Sequence, residues 1–127
     1  MASSNLYDIR IKKTEAGLGL VSFSFIKKGK TIIEYVGHRV STKNDLRNRY
    51  IFNVNKRIDI DGSPRWNKAR YINHSCRPNC EALERRGRIF IVSKRSIQSG
   101  EELLFNYGKE YFDEYIKTSG CCCEKCN

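Results

Sequence analysis

Short stretches in which apolar and polar residues alternate recur along this 127-residue chain, and they constrain its fold more than any other feature. Such alternation is typical of β-strands with one buried face. The stretches read YDIRIKK, LGLVSFSF, TIIEYVGHRV, RYIFNV, RIDID, RIFIVSK and ELLFNYG. They end at glycines or charged residues, and tight turns are predicted at RRG (85–87) and QSGEE (98–102). The chain is long enough for a single domain built from many short strands.

A helix is predicted at one place only, KEYFDEYIKTSG at residues 109–120. Tyr111, Tyr115 and Ile116 follow helical spacing, and Gly120 is a typical helix stop. The predicted fold class is therefore mostly β, small and irregular, with one short C-terminal helix.

The balance of charge is strongly basic, with 24 Lys and Arg against 14 Asp and Glu, a net charge of +10. The basic residues are spread along the whole chain rather than gathered in a tail. This distribution favours either a surface for an acidic partner, such as nucleic acid or an acid-rich protein, or a solvated surface without a dedicated partner.

No apolar run approaches the length that spans a membrane, and MASSNLYDIR at the N-terminus lacks an apolar signal core. We expect a soluble protein that is not secreted by the general route and has no membrane partner.

The six cysteines are placed unevenly. Four crowd near the C-terminus and two lie far upstream: Cys121, Cys122, Cys123 and Cys126, with Cys76 and Cys80. Adjacent cysteines do not readily bridge each other, because a disulfide needs a suitable Cα spacing. Without a secretion signal, zinc binding is favoured over disulfides.

The segment RYINHSCRPNC, residues 70–80, combines a histidine, two asparagines and two cysteines with two arginines. These residue types alone are compatible with a metal site, with nucleophilic catalysis, or with a cofactor pocket beside a metal. The segment by itself does not decide among the three.

Several motifs, taken in order, resemble the SET-domain protein lysine methyltransferases. They are GLGL (17–20), KKGKTIIEYVGHRV, YIFNV, IDIDGSPRWNKARYINHSC, GEELLFNYG (100–108) and CCCEKC, and together they cover about residues 9–127. The resemblance implies short twisted sheets and a C-terminal pseudoknot, in which the NHSC and FNYG segments lie side by side. It also implies a SET domain at residues 1–108 and a post-SET segment with a zinc-binding tail at 109–127.

The reaction implied by the resemblance is methyl transfer from S-adenosylmethionine to a protein lysine, with a histone or another basic tail as substrate. The basic surface would add contact with nucleic acid or a nucleosome. The implied location is the nucleus in a eukaryote, and the cytoplasm or a host cell for a bacterial or viral protein.

The resemblance also implies roles for individual residues. Tyr107 matches the catalytic tyrosine, and Tyr50 and Phe105 match the aromatic lining of the lysine channel. Because the family has tyrosine or phenylalanine at the Phe105 position, phenylalanine implies room for di- or trimethylation. The implied cofactor-binding residues are Gly17, Leu18, Gly19, Arg70, Asn73, His74 and Tyr107.

A zinc ion is implied at Cys76, Cys121, Cys123 and Cys126. These four thiols suit the tetrahedral coordination that zinc prefers. Cys80 is the rival for the upstream ligand, and Cys122 is a rival among the downstream three.

Two departures from the family pattern affect substrate recognition. Trp66 and Asn67 stand where a Gly-Asn pair is usual, and the variable insert at residues 38–62 is short. Two alternative functions stay open: an inactive SET-like binding module stapled by zinc, and a nucleic-acid-binding zinc protein.

Overall fold

The computed structural model describes residues 7–15, 17–43 and 49–106 of the chain. These residues form ten strands and one short 3-10 helix. The strands are β1 (Ile9–Thr14), β2 (Gly17–Ser22), β3 (Thr31–Tyr35), β4 (His38–Ser41), β5 (Ile51–Asn53), β6 (Ile58–Asp61), β7 (Asn73–His74), β8 (Cys80–Arg85), β9 (Arg88–Ser93) and β10 (Leu104–Phe105). The 3-10 helix, Lys68–Tyr71, lies just before β7.

The strands are arranged in four small sheets. An antiparallel hairpin joins β1 to β2, and two three-stranded sheets have the orders β3-β9-β8 and β4-β6-β5. The fourth sheet pairs β7 with β10 in parallel, although the two strands lie far apart in the sequence. The predicted fold class, short strands in small sheets, is confirmed.

The turn predicted at RRG is also confirmed, as the two-residue loop between β8 and β9. Arg86 and Gly87 have φ values of 53° and 77°. Positive φ at both central residues is the geometry whose twist matches that of antiparallel strands.

The stretch TIIEYVGHRV, predicted as one run, forms two strands that separate at Val36 and Gly37. The Val36 amide donates to the side-chain oxygen of buried Asn67, at 3.1 Å, instead of to a neighbouring strand. A Cβ atom at Gly37 would overlap the backbone carbonyl of Asp61. The break therefore follows from a close approach of two backbones that only glycine permits.

The core is made mainly of aliphatic side chains, with Tyr35, Cys80 and Phe105 also buried in it. Its most deeply buried members are Leu20, Ile26, Ile72, Ile89, Ile91, Ile97 and Leu103. Leu20 lies on β2, Ile72 directly precedes β7, and Leu103 directly precedes β10. The same core thus fixes the three segments that carry the predicted site residues.

Residues 101–105 run between β2 and β7. On one side, the Leu103 amide donates to the Leu20 carbonyl at 2.7 Å, and the Ser22 amide donates to the Glu101 carbonyl at 2.9 Å. On the other side, β10 pairs with β7. The segment is therefore held by hydrogen bonds along both of its edges.

Buried Asn79 fastens the same segment from a third direction. Its Nδ2 donates to the Glu102 carbonyl at 2.8 Å, and its Oδ1 accepts from the Leu104 amide at 2.9 Å. The helix predicted at 109–120 and the four C-terminal cysteines lie outside the described residues. Within the described part, no helix combines the length and hydropathy needed to cross a membrane.

Candidate active site

The parallel pairing of β7 with β10 creates the candidate site. Asn73 lies opposite Leu104 and His74 lies opposite Phe105. The Ser75 amide extends the pairing by donating to the Phe105 carbonyl at 3.1 Å. Of the NHSC and FNYG segments that were expected to lie side by side, the described residues Asn73–Ser75 and Phe105 do so, and Tyr107 and Gly108 lie outside the described residues.

The Gly17–Leu18–Gly19 segment lies against this pair from β2. The Leu18 carbonyl accepts a hydrogen bond from Asn73 Nδ2 at 3.1 Å, while 56% of the Leu18 surface is exposed. A Cβ atom at Gly19 would overlap the Glu102 carboxylate and the Thr14 methyl group. Both Asn73 and Glu102 can approach this backbone closely because residue 19 has no side chain.

Glu102 completes this cluster, although it is not among the predicted catalytic, cofactor-binding or metal-binding residues. Its Oε2 accepts from Asn73 Nδ2 at 2.7 Å. Burial raises the pKa of Glu102, and the hydrogen bond from Asn73 partly opposes that shift. The available signal was its place in GEELLFNYG, two residues before β10 begins.

His74 lies next to the predicted metal ligand. Its Nε2 is 3.5 Å from the Cys76 sulfur. Burial lowers the pKa of His74, so the neutral imidazole is favoured. A neutral ring can accept one hydrogen bond and donate another, which suits it to a polar ligand.

Arg70, from the 3-10 helix, meets the predicted channel residue Tyr50. Its guanidinium carbon lies 4.3 Å from the centroid of the Tyr50 ring and 5.1 Å from that of Tyr71. Its Nε is buried and has no hydrogen-bond partner among the described residues. An unpartnered buried donor of this kind is costly, and a bound ligand would relieve it.

A series of aromatic side chains, Tyr35, Phe52 and Phe105, leads to β10. The Tyr35 hydroxyl donates to the Tyr50 carbonyl at 2.7 Å, and its ring lies 5.2 Å from that of Phe52. The Phe52 and Phe105 rings are 6.3 Å apart, and Phe105 is only 4% exposed. Of the predicted channel residues, Phe105 belongs to this aromatic group, Tyr50 contacts it through its backbone carbonyl, and Tyr107 lies outside the described residues.

The two upstream cysteines have different surroundings. Cys76 is partly exposed, whereas Cys80 is fully buried on β8. Burial raises the pKa of the Cys80 thiol to about 12, which disfavours the thiolate that metals bind. The described residues contain no group of three or more potential metal ligands, and Cys121, Cys122, Cys123 and Cys126 lie outside them.

Trp66, the departure from the family pattern, is 62% exposed and packs edge-on against His38 with ring centroids 5.8 Å apart. Its neighbour Asn67 is buried and structural, since its Nδ2 donates to the Gly62 carbonyl at 3.0 Å.

The residues of the site suit a polar ligand such as S-adenosylmethionine. Gly17 has open space where a side chain would lie, and the buried Arg70 Nε lacks a partner in the described chain. The Asn73 Oδ1 has no hydrogen bond there either. Donors and acceptors are therefore available for a ligand with both apolar and charged parts.

Comparison with known proteins agrees with this geometry. The family model described as SET domain matches residues 17–108. Histone-lysine N-methyltransferase 2D of Homo sapiens is 35% identical over 117 residues, which are 80% of this chain and 2% of that protein. Histone-lysine N-methyltransferase ASHH1 of Arabidopsis thaliana is 35% identical over 117 residues, 80% of this chain and 24% of that protein. The chain spans less than a quarter of the length of both relatives.

A solved structure has the same fold. It is the crystal structure of KRYPTONITE in complex with mCHH DNA, an H3 peptide and S-adenosylhomocysteine, with a TM-score of 0.72 and 24% identity. The likeness covers 84% of this chain and 24% of the other.

Proposed function

Because the chain belongs to the SET-domain family, we propose that it is a protein lysine N-methyltransferase that uses S-adenosylmethionine. The observation that carries the proposal is the parallel pairing of Asn73–His74 with Leu104–Phe105. This pairing brings two of the predicted cofactor-binding residues, Asn73 and His74, beside the strand that precedes Tyr107 in the sequence. The domain division proposed with it is a SET domain at residues 1–108 and a post-SET segment at 109–127.

When bound, S-adenosylmethionine supplies an activated methyl group on a sulfonium leaving group. The protein needs no covalent nucleophile and acts by holding the two reactants in line, which is itself a large contribution to rate. The proposed cofactor contacts are the backbone of Gly17, Leu18 and Gly19 with the side chains of Arg70, Asn73 and His74. These residues lie on β2, the 3-10 helix and β7, and the Asn73 contact with the Leu18 carbonyl supports a shared site.

We propose that the aromatic side chains of the site favour the neutral form of the substrate lysine. A free lysine has a pKa of about 10.4 and is protonated at neutral pH, so it cannot attack the methyl group. An apolar wall that includes Phe52 and Phe105 would disfavour the charged amine by desolvation, and Tyr50 is proposed to line the same channel. We assign to Tyr107, by its position in the motif, the role of orienting the neutral amine.

The degree of methylation is proposed to exceed one. Phe105 carries no hydroxyl that would hold the amine and fill space beside it. A methylated lysine can then turn its remaining lone pair towards a second donor, giving a di- or trimethylated product.

The zinc ion is proposed to bind Cys76, Cys121, Cys123 and Cys126. Two observations support Cys76 over Cys80: Cys76 is partly exposed beside His74, and burial disfavours the Cys80 thiolate. Zinc would fasten the C-terminal segment close to β7, which carries the cofactor contacts.

The proposed substrate is a basic protein tail such as that of a histone, in accordance with the names of the two relatives. A chain of net charge +10 repels a basic tail unless a polyanion lies between them. A nucleosome supplies such a polyanion as DNA, and this would place the protein on chromatin in a eukaryote or in the host of a pathogen.

One surface has the features of a DNA contact. The turn at residues 27–30 is fixed by Ser93, whose Oγ accepts from the Lys30 amide at 2.9 Å and donates to the Lys27 carbonyl at 2.6 Å. The exposed residues Lys27, Lys28 and Lys30 form this basic turn, and exposed Lys94 directly follows Ser93. None of the four has an acidic partner within the described chain.

The proposal is tested by methylation of nucleosomes, free histones and a lysine-peptide array with radiolabelled S-adenosylmethionine. We expect wild-type incorporation and its loss in Tyr107→Phe, a variant that removes only one hydroxyl. Binding of S-adenosylhomocysteine without incorporation into any substrate would favour the inactive binding module instead. DNA binding without either would favour the nucleic-acid-binding zinc protein.

A further inference from the structure

We propose that Glu102 is a positioning residue for the methyl donor, holding the Asn73 amide so that its oxygen faces a cationic group of that ligand. This inference rests on the proposed function, since the ligand is the donor of the methyl transfer. It assigns a role to a carboxylate that lies beside the predicted cofactor contacts and was not among them.

The neighbours of Asn73 fix which way its amide points. The Asn73 Nδ2 lies 3.1 Å from the Leu18 carbonyl oxygen and 2.7 Å from the Glu102 carboxylate. A carbonyl and a carboxylate only accept hydrogen bonds, so the nitrogen and not the oxygen must face them. Both hydrogens on Nδ2 are used, and Oδ1 remains as an acceptor without a partner among the described residues.

The Glu102 carboxylate lacks a counter-charge in the same part of the chain. Glu34 and Glu101 are paired with Arg88 and Arg95, at 2.7 Å and 3.0 Å. Glu102, by contrast, has a single side-chain donor, Asn73. Burial raises the pKa of Glu102, so the negative charge is held at a cost that a nearby cation would offset.

The backbone holds Glu102 in place against the glycine segment. Glu102 forms an antiparallel bridge with Val21, and its own carbonyl accepts from the Asn79 side chain. A Cβ atom at Gly19 would overlap the Glu102 carboxylate. Glu102 therefore has little freedom to turn away from Asn73, and the pair forms a fixed polar wall beside Leu18.

A free amide oxygen next to a half-buried carboxylate attracts a group that carries positive charge and donates hydrogen bonds. The ammonium of the donor's amino-acid end has both properties, whereas its adenosine part has no charge. We therefore assign to the Asn73–Glu102 pair the role of binding the ammonium. Glu102 acts on it through Asn73 and through the field of its own charge.

The test compares two ligands by calorimetric titration of the full chain. S-adenosylhomocysteine carries the amino-acid end, and 5′-methylthioadenosine lacks it. Glu102→Gln keeps an acceptor for Asn73 but removes the charge, whereas Glu102→Leu removes both. We expect S-adenosylhomocysteine to bind about tenfold more weakly to the Gln variant, and more weakly still to the Leu variant. Binding of 5′-methylthioadenosine should stay at the wild-type level in both.

Glu101→Gln is the matched control, because it removes the same charge one residue away and Glu101 does not contact Asn73. We expect it to bind both ligands like the wild type. Action through Asn73 is tested in the Asn73→Ala background, where Glu102→Gln should weaken S-adenosylhomocysteine binding much less than in the wild type.

Wild-type affinity of the Gln and Leu variants for S-adenosylhomocysteine would overturn the inference, as would an equal loss for both ligands. An undiminished effect of Glu102→Gln in the Asn73→Ala background would also overturn it. Failure of the wild type to bind S-adenosylhomocysteine at all would instead overturn the proposed function, and the inference with it.

Discussion

The guanidinium of Arg70 lies 4.3 Å from the centre of the Tyr50 ring, and this stacking links the 3-10 helix before β7 to the start of β5. It connects a proposed cofactor contact with a proposed channel residue. A planar cation on an aromatic face is an arrangement that lysine does not reproduce.

We therefore predict that Arg70→Lys weakens S-adenosylhomocysteine binding nearly as much as Arg70→Met does. Tyr50→Leu should cost about 1 kcal/mol of unfolding free energy through loss of the cation–π contact, whereas Tyr50→Phe should cost little. Calorimetric titration and urea unfolding measure the two effects. Wild-type affinity in Arg70→Lys would show that charge alone matters at this position.

Phe105→Tyr is predicted to shift the product towards monomethyl-lysine. The new hydroxyl would enter a position that is 4% exposed, where it needs a hydrogen-bond partner and takes space from a methylated amine. Mass spectrometry of the product at long reaction times reports the distribution. Phe90→Tyr, on β9 and outside the aromatic group, is the control and should leave the distribution unchanged. Monomethyl-lysine alone from both wild type and Phe105→Tyr would contradict the prediction.

Glu102→Gln is predicted to leave the ligand-free fold at least as stable as the wild type at neutral pH. Burial raises the pKa of Glu102 above its ordinary value of 4.5, so the folded state binds more protons than the unfolded state between the two values. Wild-type stability therefore falls as the pH rises through that window and stays lower above it. The melting-temperature difference between variant and wild type should grow over the same window.

Comparing the two proteins cancels the contribution of His74, which both contain. Burial lowers the pKa of His74 below 6.5, so its effect has the opposite sign and stability falls as the solution becomes more acidic. A lower melting temperature for Glu102→Gln at every pH would mean that Glu102 stabilises the fold, contrary to expectation.

Zinc content is predicted to distinguish the two upstream cysteines. The wild type should hold about one zinc ion per chain, and Cys76→Ser should lose most of it because a tetrahedral site needs all four ligands. Cys80→Ala should keep its zinc and lose only core packing, since Cys80 is fully buried. Elemental analysis of the purified variants measures both. Retention by Cys76→Ser with loss from Cys80→Ala would reverse the assignment.

Removing three lysines of the basic turn, as Lys27→Gln, Lys28→Gln and Lys30→Gln together, is predicted to weaken DNA binding and its dependence on salt. Each phosphate contact contributes about 0.9 to the slope of log affinity against log salt, so the slope should become shallower. The control removes three exposed charges elsewhere, at Lys43, Lys56 and Arg57. Equal losses in both triple variants would indicate attraction by net charge without a dedicated surface.

Much of the fold could be predicted from local patterns, but β8 could not. Its sequence, CEALER, lacks β-branched residues and contains good helix formers. It is a strand because all six residues pair with β9 across the tight turn at Arg86 and Gly87. Pairing with a strongly β-forming partner overrides local propensity at such a position.

The candidate site was predictable in its residue types and less so in its contacts. The motif around Asn73 and His74 marked a polar pocket, and its pairing with the strand that ends at Phe105 is confirmed. The contact between Asn73 and Glu102 depends on the route of residues 101–105 past Gly19, which no local pattern encodes. The sequence also left Cys76 and Cys80 as rivals, because burial is a property of the folded chain.

The route of residues 101–105 between β2 and β7 also has a kinetic consequence. A two-residue pairing across such a sequence separation gains little energy of its own, while the long loop must close before it can form. We expect this segment to dock late, after the hairpins have collapsed around Leu20 and Ile72. A nascent or partly unfolded chain would then be unable to bind the donor until β10 has paired with β7.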